Sequence, residues 1–339
     1  MFLVISFLLL FADPPPRDLF RAGLAAMASG HLQEARADLE NVRTAQPRNP
    51  RVWLALTEVY AMQNDEPRRK AAALRAVELA HAASGWETSA SVRNYLGKVY
   101  LANAEFAQAI GEYRAAVRLG PYEESYRFDL AQALLGHEEF GQAADVLEDA
   151  RKVFSRSAQI ELALGVAYYG ERRFPEAVNS FLRTIELAPE VAQPYVFLGK
   201  MLDQAGDRLP EVERRFAEFQ KANPQDPTAY LLQAKAMSAA GEEPAEIDKL
   251  LRKSIALNGE GWESHYELGV LLEGKRDYPQ AAEELRRSAK LNPGVAATHY
   301  HLARVYDRLN RPQDAARERA THEELTAKEK VTAGMEPVR

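Results

Sequence analysis

Residues 90–123 read ASVRNYLGKVYLANAEFAQAIGEYRAAVRLGPYE. Leu96, Gly97 and Tyr100 form one cluster, Phe106 and Ala109 a second, and Tyr113 with Ala116 a third, while Pro121 closes the stretch. Apolar residues recur at three- and four-residue steps, the spacing of a helix with one buried face. Two helices fit, meeting near Ala104. Gly97 on the first and Ala109 on the second remove bulk where two backbones have to approach, and Tyr100 and Tyr113 fill the space beside them. Pro121 has no N–H and disfavours helix in the residue before it, so the second helix stops there. The stretch reads as a helical hairpin with a built-in stop.

The pattern recurs along the chain. Residues 158–191 carry Leu164, Gly165, Tyr168, Phe174, Ala177, Phe181 and Pro189, and residues 262–295 carry Leu268, Gly269, Leu272, Tyr278, Ala281, Leu285 and Pro293. Residues 16–49, 50–89, 124–157 and 296–330 follow it with substitutions. The second of these contains a longer second helix and an inserted loop at Gly85 to Thr88. Residues 192–226 and 227–261 fit only with one residue inserted near the inter-helix turn, and both carry a proline there, Pro210 and Pro244. In the last unit the second helix turns polar, as the uncovered end of an array requires, and residues 331–339 read as a flexible tail.

These residues resemble the tetratricopeptide repeat, a helix-turn-helix unit of about 34 residues with Leu-Gly, Tyr, Ala, aromatic and Pro at set positions. The resemblance covers residues 13–330 and implies an all-α fold, an α-α superhelix or solenoid of about nine hairpins, right-handed and with a concave inner surface. It leaves no room for a catalytic domain.

Composition agrees with an ordinary folded chain: 46% of the 339 residues are hydrophobic and 27% charged. That length exceeds what one compact core usually holds, which favours an array whose core grows with length. A net charge of −6 argues against nucleic acid as the main partner, because phosphate binding needs a basic surface. The absence of cysteine excludes disulfides, thiolate zinc sites and a cysteine nucleophile. Phosphate-loop, dinucleotide, serine-elbow and zinc-protease motifs are all missing, so no enzyme activity, cofactor or metal is expected. His265 and His299 fall at equivalent positions of adjacent units.

Residues 1–12, MFLVISFLLLFA, are almost wholly apolar and precede Asp13 and three prolines. The run is too short to span a membrane and matches the apolar core of a secretory signal, although no Lys or Arg precedes it. The expectation is an exported, periplasmic or envelope-associated protein that touches the membrane only through this segment; the alternative is a cytoplasmic one.

Function, if it follows the family, is capture of a peptide or protein segment in the concave groove. In this family the groove is lined by the second, fifth, ninth, twelfth and thirteenth residues of each unit. The resemblance therefore nominates Asn94 and Lys98, Phe128 and Gln132, Gln159 and Tyr169, Gln193 and Lys200, Lys235, Tyr266, and Tyr300 with Arg304. Asn and Gln can pair with an extended backbone, and aromatic rings supply stiff contact area. Lys200 and Lys235 occupy the same position in consecutive units, a seat for an acidic or carboxylate-bearing segment. The carboxylate clamp of chaperone-binding members is not matched, since Asn94 and Lys98 stand in reversed order. Two roles follow: a noncatalytic scaffold, or an accessory subunit that recruits substrate for a separate transferase, polysaccharide-assembly or secretion machine.

Overall fold

The computed structural model describes residues 17–334, and among these the chain forms eighteen α-helices and no strand. The apolar run at 1–12 lies outside the described residues. Two compact units divide the chain, the first ending at Arg173 and the second beginning at Phe174.

The first unit contains α1 (Arg17–Ala28), α2 (Leu32–Ala45), α3 (Pro50–Met62), α4 (Glu66–His81), α5 (Ala90–Ala102), α6 (Phe106–Leu119), α7 (Glu124–Gly136), α8 (Phe140–Val153) and α9 (Ala158–Gly170). The second contains α10 (Phe174–Leu187), α11 (Gln193–Lys200), α12 (Leu209–Ala222), α13 (Pro227–Ala239), α14 (Pro244–Leu257), α15 (Trp262–Gly274), α16 (Tyr278–Leu291), α17 (Ala296–Arg308) and α18 (Pro312–Gly334). Within each unit consecutive helices pack on one another, except that α11 and α12 are joined through short 3-10 turns and make little direct contact. The fold class is an all-α solenoid of helical hairpins.

Local chemistry sets the helix ends. Asn49, Asp65, Ser89, Ser157, Asp226 and Asp277 accept hydrogen bonds from backbone N–H groups of the first turns of α3, α4, α5, α9, α13 and α16. Pro50, Pro227 and Pro244 stand at first positions, where a missing donor costs nothing. Each hairpin turns through one left-handed residue. These are Gly30, Asn64, Ala104, Glu138, Arg172, Gly206, Gly241, Arg276 and Asn310, recurring at steps of 34 or 35 except for one step of 40. The long step contains the insertion at Gly85 to Thr88, which forms a short 3-10 turn at Trp86–Thr88.

Within the hairpin α5–α6, Leu96, Ala109 and Ala116 are fully buried and Tyr113 is 2% exposed. A methyl group on Gly97 would stand 2.6 Å from the Tyr113 ring, so the glycine is what lets the two helices meet. Gly269 faces Leu285 in the same way, at 2.5 Å.

Two elements differ from the sequence reading. The first helix of residues 192–226 stops after eight residues at Lys200, because Met201 leaves helical geometry and buries its side chain, and the chain continues through 3-10 turns at Leu202–Gln204 and Gly206–Arg208. At the other end, α18 runs to Gly334, so residues 331–334 are helical rather than part of a tail. Nothing there breaks a helix until the Gly-Met-Glu-Pro stretch.

Candidate functional site

Within the first unit α1 touches α3, α3 touches α5, α5 touches α7 and α7 touches α9; within the second, α11 touches α13, α13 touches α15 and α15 touches α17. The first helices of successive hairpins therefore form one continuous face in each unit. On that face Gln159, Gln193, Lys200, Tyr300 and Arg304 are exposed, and Phe128, Gln132, Tyr169, Lys235 and Tyr266 are half-buried. Gln132, Gln159 and Gln193 make no hydrogen bond among the described residues.

Asn94 and Lys98 are a correction to this set. They are only 4% and 9% exposed, because α7 brings Asp129 against them. The Lys98 ammonium lies 2.9 Å from Asp129 Oδ2, and Asn94 donates Nδ2–H to the same oxygen at 2.7 Å. Both side chains therefore serve the contact between hairpins instead of standing open. Half-buried Glu58, from α3, completes the cluster: desolvation pushes its carboxyl up to about 7, against the pull of Lys98.

In the second unit Lys235 repeats the position of Lys98, and Glu267 that of Asp129. The Lys235 ammonium is 3.8 Å from Glu267, and Lys200 instead faces the Phe197 ring at 6.0 Å. The lysine pair thus does not offer two free ammonium groups to a carboxylate. Burial raises the Glu267 pKa first, with Glu263 and Asp203 adding to the rise and Lys235 opposing it. Lys235 and Glu267 also line a cavity of about 290 Å³, walled by Ile247, Leu251, Val270 and Leu271. Further along, Tyr266 meets His301 edge-on at 5.7 Å. His301 lies 2.6 Å and Arg304 3.1 Å from the Glu273 carboxylate, and the Arg304 guanidinium sits over the Tyr300 ring.

One recurrent role escaped the sequence reading. The fourth residue of a unit reaches back to the carbonyl six residues earlier: Trp53 to Pro47, Arg93 to Glu87, Arg127 to Pro121, Tyr195 to Pro189, Tyr230 to Pro224, His265 to Gly259 and His299 to Pro293. Each supplies a donor to a turn carbonyl, and the Gly259 carbonyl receives a second one, from Arg287. Residue type varies while the donor is kept, so the signal was a hydrogen-bond donor six residues after the acceptor, which is Pro or Gly in every case except Glu87. His265 and His299 also hold Glu284 and Glu318 through Nδ1, at 2.6 Å each. Both rings are thus engaged at both nitrogens, by a carboxylate of their own hairpin and by the turn carbonyl that precedes it. The Glu284 contact, more than the burial that opposes it, raises the His265 pKa.

Comparison with known proteins agrees with the geometry. The tetratricopeptide repeat model matches residues 20–87, 128–192 and 266–319, more than half of the chain. No curated protein matches the sequence. Among solved structures, yeast Tom70 is 13% identical with a TM-score of 0.47, covering 94% of this chain and 87% of its own. The C-terminal part of a repeat protein from Cytophaga hutchinsonii is 16% identical with a TM-score of 0.43, covering 84% and 99%. MamA from Desulfovibrio magneticus is 19% identical with a TM-score of 0.44, covering 50% and 95%.

Proposed function

We propose that this chain, which belongs to the tetratricopeptide repeat family, is a noncatalytic scaffold that holds a peptide or protein segment against its first-helix faces. The family membership by itself supports a protein–protein interaction scaffold; the location of the binding face is the step added here. The observation that carries it is the run of accessible side chains on contiguous first helices within each unit, with the Gln132 and Gln159 amides of the first unit and the Gln193 amide of the second left without intramolecular partners among the described residues. An amide offers both a donor and an acceptor, which is what an extended backbone requires. Aromatic contact area on the first-helix faces comes from Phe128 and Tyr169 in the first unit and from Tyr266 and Tyr300 in the second. The partner in this reading is a protein or peptide, with no nucleic acid involved.

Export toward the cell envelope is part of the proposal and is supported by the apolar run at residues 1–12. Among the described residues no helix is long and apolar enough to cross a membrane. A reporter active only outside the cytoplasm, fused after Lys330, tests this part: activity supports it, and its loss on deleting residues 1–12 assigns the signal.

The binding face is tested by crosslinked capture from the native host, comparing wild type with Gln132→Ala, Gln159→Ala and with an outer control, Leu74→Ala on α4. Loss of one captured protein in the first pair only supports the reading. Loss in the control only overturns it. A captured protein with catalytic activity, present in fixed ratio, selects the accessory-subunit role.

A further inference from the structure

We propose that the first unit's binding face contains a seat for a cationic side chain, a Lys or Arg of the partner segment, built by Glu58 on α3 over the polar floor of Asn94, Lys98 and Asp129. This rests on the scaffold reading above and names the partner chemistry of its first unit.

The argument is a shortage of positive charge and of donors. Two carboxylates, Glu58 and Asp129, share one ammonium, Lys98, and that ammonium is committed to Asp129 at 2.9 Å. Glu58 makes no hydrogen bond among the described residues, although it is half-buried. Burial raises its pKa, and the pull of Lys98 offsets only part of that rise.

A second observation is independent of the carboxylates. Asn94 is 4% exposed, and its Oδ1 accepts no hydrogen bond. The orientation of the amide is fixed, because only its NH₂ can face the Asp129 carboxylate. The orphan is therefore an acceptor, and a buried acceptor without a donor keeps the full penalty of its lost hydration. A guanidinium or ammonium arriving at Glu58 supplies the missing charge directly. It also relieves Lys98 of the pull of Glu58, so that an ammonium N–H not given to Asp129 can serve Asn94 Oδ1.

An anionic segment would do the opposite, adding negative charge to a site that already has more carboxyl groups than cations. Half-buried Phe128 and hydrogen-bond-free Gln132 lie on α7, the helix that carries Asp129, and offer apolar and polar surface to the long stem of a cation. The second unit repeats the imbalance around Lys235, where the field at Glu267 includes Glu263 and Asp203.

The test is a selection of random heptapeptides on the full chain, followed by fluorescence anisotropy with the peptides recovered. Wild type should enrich Lys- or Arg-bearing peptides. Glu58→Gln should weaken them about tenfold, the change that a lost charged contact of this kind brings. Glu58→Lys, with melting checked by circular dichroism, should shift enrichment toward Asp and Glu. Peptides enriched without cationic preference, or bound equally by Glu58→Gln, overturn the seat and leave the scaffold reading standing. If no peptide is enriched, the peptide-binding face and the seat both fall.

Discussion

Replacing a helical glycine with alanine normally stabilises, and the two glycines of the hairpin α5–α6 should respond with opposite signs. Gly111 lies inside α6 with no heavy atom within 4 Å of an added Cβ. Gly111→Ala should therefore gain about 0.5–1 kcal/mol from reduced freedom of the unfolded chain and better helix propensity. Gly97→Ala receives the same gain, yet its Cβ would lie 2.6, 2.7 and 2.9 Å from three atoms of the Tyr113 ring. That ring is 2% exposed and cannot swing into solvent. Forcing α5 and α6 apart costs about 1–3 kcal/mol, so Gly97→Ala should end at or below wild type. Urea unfolding followed by far-ultraviolet circular dichroism reads the difference as displaced midpoints with unchanged slope. If Gly97→Ala rises as far as Gly111→Ala, the two helices do not approach closely at Gly97, and the packing that defines the repeat is wrong.

Three further outcomes are expected. Ala104→Gly should stabilise by about 1 kcal/mol in the same urea assay, since alanine at a φ of 63° carries a steric cost that glycine avoids. Glu58, titrated by NMR with a side-chain label, should show a midpoint near 7. Because the folded chain holds this proton after the unfolded chain has lost it, stability from this group is full below about 4.5 and declines as pH rises through 7; Glu58→Gln should flatten that decline. His265 also has a raised pKa, so its contact with Glu284 contributes fully below about 6.5 and is lost as pH rises through the folded value. His265→Gln should accordingly cost about 1–3 kcal/mol at low pH and less at high pH, measured by thermal melts on both sides of neutrality.

The hairpins were legible because their determinants are local. Leu96-Gly97, Ala109, Tyr113 and Pro121 sit on two adjacent helices, and spacing alone tells which must approach. Contacts between hairpins were not legible in the same way. Asn94 and Lys98 read as open positions because the carboxylate that covers them, Asp129, arrives from a helix 35 residues later than Asn94. The resemblance placed Lys200 and Lys235 in equivalent positions, but only the packing shows that Glu267 already answers one of them. The clasp by Trp53, Arg93, Arg127, Tyr195 and their equivalents was hidden for another reason: four residue types perform one act, donation to a turn carbonyl, so no single letter marks it. In α11 the helix ended early where Met201 turned inward, a choice made by the core and not by propensity.

The central claim is that partners lie along the first helices, and site-specific photocrosslinking tests it most directly. A photoreactive residue is placed at Gln132 or Lys200 on the first-helix faces, or at Leu74 on α4 as an outer-face control, and the crosslinked partner is read by mass spectrometry. Adducts from Gln132 or Lys200 to one contiguous partner segment, with none from Leu74, are the expected result. Adducts confined to Leu74 would contradict the account and move the binding surface to the second helices.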